Sequence, residues 1–172
     1  MRELVDAERV GRFIEAVGRA ASEEGVCYFA GGATAVLIGW RGTTVDLDIR
    51  LEPEQDAILR ALPGLKEDLH VNVELASPAD FIPLPAGWEE RSAFVTRAGW
   101  VTFRHFDLYA QALAKLERGH ARDLEDVTAM VERGLVDPPR LRELFEEIRP
   151  ELYRFPALDE ASFRAAVEAV SR

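Results

Sequence analysis

Cysteine, histidine and long apolar runs are all scarce in this chain of 172 residues. The single cysteine, Cys27, excludes a disulfide framework and favours a reducing cytosol. The three histidines lie far apart in the sequence, which argues against a metal-dependent phosphodiesterase, because such enzymes usually bind their metal through several histidines. No apolar run approaches the roughly 18 residues that a membrane span requires, and the N-terminal stretch is amphipathic and charged, unlike a targeting peptide. We therefore expect a soluble cytoplasmic protein with no membrane partner.

Net positive charge is also missing, because 21 Lys and Arg face 31 Asp and Glu, for a formal net charge of −10. This balance argues against a general grip on nucleic acid, which needs a basic surface. A local basic groove stays open. Six basic residues could form such a groove facing the substrate, or could simply be scattered over the surface: Arg91, Arg97, Arg104, Arg118, His120 and Arg122.

Regular hydrophobic patterns are present throughout the first half of the chain. Apolar residues at helical spacing predict a helix over residues 5–21, and the β-rich run VCYFA predicts a buried strand over 26–30. Gly31 and Gly32 end that strand, and a short buried helix over 33–40 follows. The run VDLDIRL alternates with period two, which predicts a strand over 45–51 with one apolar and one polar face.

Further strands and then helices follow. Proline and acids predict a helix that begins near Pro53 and ends at Pro63-Gly64, and HVNVELA predicts another strand. A hairpin is predicted to turn at Ala98-Gly99. From Asp107, a plausible helix N-cap, about four helices are predicted. This order predicts the fold class α+β (α/β), with an α/β core over residues 1–106 and a helical C-terminal half over 107–172.

Two aspartates stand at i and i+2 on the polar face of the second strand. Asp46 and Asp48 therefore project to the same side of the sheet. Two such carboxylates repel each other unless a cation lies between them, and a hard divalent ion such as Mg²⁺ or Mn²⁺ prefers oxygen ligands. The alternative is an exposed rim of the sheet, although aspartate is depleted in strands.

The Gly31-Gly32 pair lies between a strand and a helix, shortly before these aspartates. Glycine lets the backbone approach a ligand closely, and N–H groups at a helix start can cradle a phosphate. The alternative is a tight strand–helix turn with no ligand. The combination of a glycine turn and an Asp-x-Asp strand favours a phosphate cradle beside a metal pair.

The stretch FAGGATAVLIGWRGTTVDLDI resembles the signature of the nucleotidyltransferase superfamily with the polymerase-β-like fold. Downstream, ALAKLERGHARDLEDV resembles the Lys…Arg-Asp-x-x-Asp helices of type E abortive-infection toxin-like nucleotidyltransferases. The chain is also similar to a small, minimal bacterial group of that superfamily. The resemblance covers roughly residues 29–132 and implies a nucleotidyltransferase fold, with a mixed β-sheet flanked by helices.

The resemblance implies roles for particular residues. Gly31, Gly32 and Thr34 would bind the nucleotide, and Asp46 and Asp48 would bind Mg²⁺ or Mn²⁺. A third carboxylate is expected on HVNVELA, where Glu74 is the only acid of the polar face, although Asn72 shares that face.

On the later helices the resemblance implies a second set of residues. Lys115 would meet the nucleotide phosphates, with Arg122 and Asp123 as further nucleotide-binding residues, and Asp126 would complete the catalytic set. The alternative for Asp123 and Asp126 is a helix start whose acids favour the helix dipole.

The activity that this resemblance implies is metal-dependent transfer of a nucleoside monophosphate from an NTP to an RNA end, tRNA-like for example, or to a protein hydroxyl. A cognate toxin or antitoxin partner or a phage-defence role is implied as well. The alternative is a catalytically weakened nucleotidyltransferase-fold protein that acts as an antitoxin-like or regulatory binding partner.

Overall fold

The computed structural model describes residues 3–170 and contains a five-stranded mixed β-sheet. The strands lie in the order β3-β2-β1-β5-β4. Strand β1 pairs antiparallel with β2 and parallel with β5, β2 pairs parallel with β3, and β4 pairs antiparallel with β5. Their bounds are β1 Gly25–Ala30, β2 Asp46–Glu52, β3 Asn72–Leu75, β4 Phe94–Ala98 and β5 Val101–His105.

Eight α-helices and two short 3₁₀ segments occur within residues 3–170. The helices are α1 Ala7–Ala20, α2 Gly32–Ile38, α3 Asp56–Leu69, α4 Trp88–Arg91, α5 Leu108–Arg118, α6 Ala121–Glu132, α7 Pro138–Ile148 and α8 Glu160–Val170, and the 3₁₀ segments are Pro78–Asp80 and Arg149–Arg154. This arrangement confirms the predicted mixed sheet flanked by helices. Over the same residues, no helix has the length and apolar character needed to cross a membrane.

The chain divides into two compact units. The first comprises the residues up to Ser77 together with Ser92–His105, and it contains the whole sheet with α1, α2 and α3. The second comprises Pro78–Arg91 and the chain from Phe106 onward, and it contains α4 to α8.

Alternation along β2 separates the core of the first unit from its polar sheet face. Leu47, Ile49 and Leu51 are buried in the core, whereas Asp46 and Asp48 are half-buried on the other face. Period-two spacing forces this division, because successive side chains of a strand point to opposite faces. The alternation read from the sequence is confirmed.

Helix α3 corrects the predicted helix that was to begin near Pro53 and end at Pro63-Gly64. It begins at Asp56 and continues to Leu69, with Pro63 inside it. Proline removes one backbone hydrogen bond and disfavours the helix interior. The last turn nevertheless forms, because Leu65 and Leu69 pack against the core and their burial outweighs the loss.

The second unit is held together by packed helices. Asp107 is the N-cap of α5, as predicted, and its carboxylate accepts a hydrogen bond from the amide of Tyr109 at 3.1 Å. Gly119, at a φ of 71°, ends α5 and lets the chain turn into α6. Phe145 of α7 and Phe163 of α8 pack edge to face, with ring centroids 4.8 Å apart. The predicted helices of the C-terminal half are thereby confirmed.

Candidate functional site

Four polar side chains lie on one face of the sheet, across the β2–β3 pair of the first unit. The parallel register sets Asp46 opposite Asn72 and Asp48 opposite Glu74. Asp46, Asp48 and Asn72 are half-buried and Glu74 is exposed. Since residues opposite one another on neighbouring strands have their side chains in reach, the pairing brings the predicted carboxylates and Asn72 into one cluster.

Asn72 is hydrogen bonded to two of these acids. Its Nδ2 donates to Oδ1 of Asp46 at 2.6 Å and to Oε1 of Glu74 at 3.4 Å. The first distance is short for an N–H···O contact, as expected when the acceptor is charged. The amide thus holds the Asp46 carboxylate in place.

Gly31 brings the backbone directly against Asp48. A Cβ atom added at Gly31 would lie 2.8 Å from Oδ2 of Asp48, and the residue has φ 61° and ψ −131°. Side chains with a Cβ rarely adopt that backbone conformation. Both the conformation and the space therefore require glycine here, and the strand–helix turn closes on the carboxylate.

Gly32 meets a side chain that the sequence patterns did not single out. A Cβ added at Gly32 would lie 1.8 Å from Oγ1 of Thr44, whose hydroxyl occupies the space beside the glycine. Thr44 is buried, and its hydroxyl donates to the carbonyl oxygen of Asp46 at 3.1 Å. Thr44 thereby links the Gly31-Gly32 turn to the start of β2.

This contact predicts the effect of adding one methyl group. We expect Gly32→Ala to lower the free energy of unfolding by about 1–3 kcal/mol, because the methyl group overlaps Thr44 in a packed site. Urea unfolding followed by circular dichroism measures the change. Gly42→Ala is the matched control, since nothing lies within 4 Å of its added Cβ. A Gly32→Ala variant as stable as Gly42→Ala would contradict the prediction.

The chemistry of these side chains decides whether a divalent cation can bind here. Within residues 3–170, no group of three or more carboxylate, histidine or cysteine side chains is arranged to hold a metal ion. Asp46 and Asp48 are still two hard oxygen donors on same-face positions, and Mg²⁺ commonly uses one or two carboxylates together with substrate phosphates and waters. The Asp46–Asp48 pair therefore fits such an ion, and Glu74 as a third ligand stays a prediction.

Thr34, predicted to contact the nucleotide, has its hydroxyl turned into the protein. The hydroxyl donates to the carbonyl oxygen of Phe29 at 3.2 Å and lies 3.1 Å from Nδ1 of His105. Because a hydroxyl has one hydrogen, Nδ1 of His105 is the donor in the second contact. A nucleotide contact by Thr34 stays a prediction and would have to use its backbone amide.

His105 makes the first unit sensitive to acid. Burial lowers the pKa of His105 from 6.5 to about 4, since the charged imidazolium would lose its hydration. The unfolded chain therefore binds a proton in this range before the folded chain does. Stability from this group is complete above the unfolded value of 6.5 and is lost as the pH falls towards 4.

We expect the free energy of unfolding to fall by up to about 3 kcal/mol across that interval through His105 alone. Urea unfolding at a pH above 6.5 and at one near 4 measures the loss. His105→Gln should remove most of it. His70→Gln should not, because the His70 side chain is 66% exposed. An unchanged pH dependence in His105→Gln would disprove the assignment.

A buried charge cluster joins α5 and α6 in the second unit. Nζ of Lys115 lies 2.8 Å from Oδ2 of Asp126 and 3.6 Å from Oδ1 of Asp123. Arg118 also binds Asp123, with Nη2 2.7 Å from Oδ1. The structure thus brings together three of the residues predicted on these helices: Lys115, Asp123 and Asp126. The two aspartates, three positions apart on α6, face the same lysine.

Two details decide what this cluster can bind. The charge of Lys115 is balanced by Asp126 within hydrogen-bond distance, so that a phosphate would compete with that carboxylate. The second oxygen of Asp123, Oδ2, is buried and has no hydrogen-bond partner among residues 3–170. Arg122 is exposed on α6. Nucleotide-binding or catalytic roles for Lys115, Arg122, Asp123 and Asp126 stay predictions.

Thr44 was missed by the sequence patterns for a simple reason. Its position two residues before Asp46, in the run GTTVDLD, is typical of a turn. Its role depends on its contact with Gly32, twelve positions earlier in the chain, and the hydrophobic pattern of the sequence cannot predict such a contact.

Comparison with known proteins adds one match. A family model described as a nucleotidyltransferase of unknown function (DUF6036) matches residues 10–169. No curated protein and no solved structure matches the chain. The family match spans most of the sequence and includes the four polar residues of the β2–β3 pair, here called the sheet-face cluster: Asp46, Asp48, Asn72 and Glu74.

Proposed function

The chain belongs to this family of nucleotidyltransferases of unknown function, and we propose that it transfers a nucleoside monophosphate from an NTP to a hydroxyl of an RNA end or of a protein. The reaction takes place at the polar face of the sheet. The proposed metal is Mg²⁺ or Mn²⁺, held by Asp46 and Asp48.

One observation carries the proposal: the Gly31 backbone is closed against the Asp48 carboxylate. An added Cβ at Gly31 would come within 2.8 Å of Oδ2 of Asp48. Phosphate oxygens bound by the amides of the Gly31-Gly32 turn would therefore lie next to a carboxylate that binds a cation.

In this proposal the residues of the first unit have two separate roles. The Gly31-Gly32 turn holds the phosphates of the NTP, and Asp46 and Asp48 hold the cation. When bound, the cation neutralises the phosphate charge and lowers the pKa of the attacking hydroxyl. Because both aspartates belong to a strand that is paired on both sides, they would hold the cation at a fixed place relative to the Gly31-Gly32 turn.

A second candidate is a binding protein with weakened catalysis, which acts as an antitoxin-like or regulatory partner of a cognate toxin. The contact that favours it is the short hydrogen bond from Asn72 to Asp46, which places an amide rather than a carboxylate directly opposite Asp46 on β3. This candidate predicts that partner binding survives loss of both aspartates, whereas transfer requires them.

The deciding experiment incubates the purified chain with each labelled NTP in turn, Mg²⁺ or Mn²⁺, total RNA and cell lysate. Transfer gives a labelled macromolecule, and its sensitivity to nuclease or to protease identifies the acceptor as RNA or protein. The Asp46→Asn, Asp48→Asn double variant is the control. No labelling above this control with any of the four NTPs would reject the enzymatic proposal and favour the binding protein.

A further inference from the structure

Asn72 occupies the centre of the sheet-face cluster without being an acid. The register places it directly opposite Asp46, and Glu74 follows two positions later on the same face of β3. Its Nδ2 donates to both carboxylates, at 2.6 Å and 3.4 Å. The positively polarised amide hydrogens thus lie between the carboxylates of Asp46 and Glu74 and reduce their mutual repulsion.

The same carboxylate is the proposed cation ligand. A divalent ion that approaches Oδ1 of Asp46 meets the positive end of the Asn72 amide, which repels it. An ion that takes the lone pair of Oδ1 to which Nδ2 donates displaces the amide, which must withdraw or turn by half a rotation. A turned amide presents Oδ1 of Asn72, a carbonyl oxygen of the kind that hard cations accept.

We propose that Asn72 is a positioning residue that competes with the divalent cation for Asp46 and so sets the metal affinity of the Asp46–Asp48 pair. This inference rests on the proposed function, since it concerns the same cation. In the metal-free protein the amide satisfies Asp46 and keeps it oriented towards the site. In the metal-bound protein the amide has left Oδ1.

This competition predicts that truncating the Asn72 side chain strengthens cation binding instead of weakening it. We expect Asn72→Ala to bind Mn²⁺ about tenfold more tightly than the wild type, because a charge-assisted hydrogen bond no longer competes with the ion. Asn72→Asp should bind it at least as tightly, since a carboxylate then stands opposite Asp46. Both variants should melt at a lower temperature than the wild type when metal is absent and gain more from added Mn²⁺.

Isothermal titration with Mn²⁺ or Mg²⁺ alone, without nucleotide, measures the affinities, and thermal melting with and without metal measures the stabilisation. Glu74→Gln is the matched control, because it removes an acid beside Asn72 and leaves the hydrogen bond to Asp46 in place. It should lack the affinity gain of Asn72→Ala. Asn72→Ser replaces Asn72→Ala if the latter fails to fold, since serine is too short to reach Asp46 in the same way.

The outcomes separate the two proposals. If the wild type binds the ion through Asp46 and Asp48 but Asn72→Ala binds it with equal or lower affinity, the role of Asn72 is rejected and the proposed function stands. If neither the wild type nor the Asn72 variants bind a divalent cation, the metal-dependent function and the role of Asn72 fall together.

Discussion

Replacing Asp46 or Asp48 with asparagine should lower the rate of nucleotide transfer at least about a hundredfold. Even mutation of a residue that only hydrogen bonds to a metal ligand typically lowers activity by about 10–100-fold. The physical reason is the loss of a negative charge and a hard oxygen from a site that has two such donors on one strand face. Initial rates of incorporation of labelled NTP measure the effect. Binding of Mn²⁺ should weaken in parallel.

The fold should survive these changes. Both side chains are only half-buried on the polar face, and the core residues of β2 are untouched. Glu52→Gln is the matched control, because Glu52 ends the same strand on the same face and pairs with Arg50. It should retain activity close to that of the wild type. Full activity in Asp46→Asn or Asp48→Asn would exclude the metal pair as the catalytic centre.

The largest expected loss of stability comes from the charge cluster of the second unit. We expect Asp126→Ala to lower the free energy of unfolding by about 3 kcal/mol or more, because it leaves the buried ammonium of Lys115 without its closest partner. Lys115 and Asp126 are 5% and 2% exposed, so that water replaces little of the lost contact. Asp123, at 3.6 Å from Nζ, offsets part of the loss. Urea unfolding of the purified variant measures it.

Two controls test the cause. Glu125→Ala removes an exposed acid one position away on α6, and we expect a change of no more than about 0.5 kcal/mol. The double variant Lys115→Met, Asp126→Leu replaces both charges with apolar groups, and we expect its stability to approach that of the wild type or exceed it. A double variant as unstable as Asp126→Ala would show that packing, rather than an unpaired charge, causes the loss.

Strands and helices were largely predictable because their periods are local. The alternation of VDLDIRL sufficed to place Leu47 in the core and Asp46 on the polar face. Asp107 was recognisable as an N-cap from its position before an apolar helical repeat. The end of α3 was not predictable, because the penalty of Pro63 is local whereas the burial of Leu65 and Leu69 depends on the rest of the unit.

The candidate site was predictable only in part. The common projection of Asp46 and Asp48 follows from strand geometry alone, and the Gly31-Gly32 turn is visible in the sequence. That the amide of Asn72 bonds to Asp46 could not be read from it, since a shift of β3 by one residue would have turned Asn72 to the other face.

By itself, then, the sequence determined the strands, the helical second half, the polar face of β2 and the membership in a nucleotidyltransferase family, because periodicity and motif spacing are properties of neighbouring residues. Only the tertiary structure decided which distant residues meet: Thr44 beside Gly32, Asn72 on Asp46, and Lys115 between two aspartates of α6. These contacts depend on strand register and helix packing, which are set by the burial of the whole core.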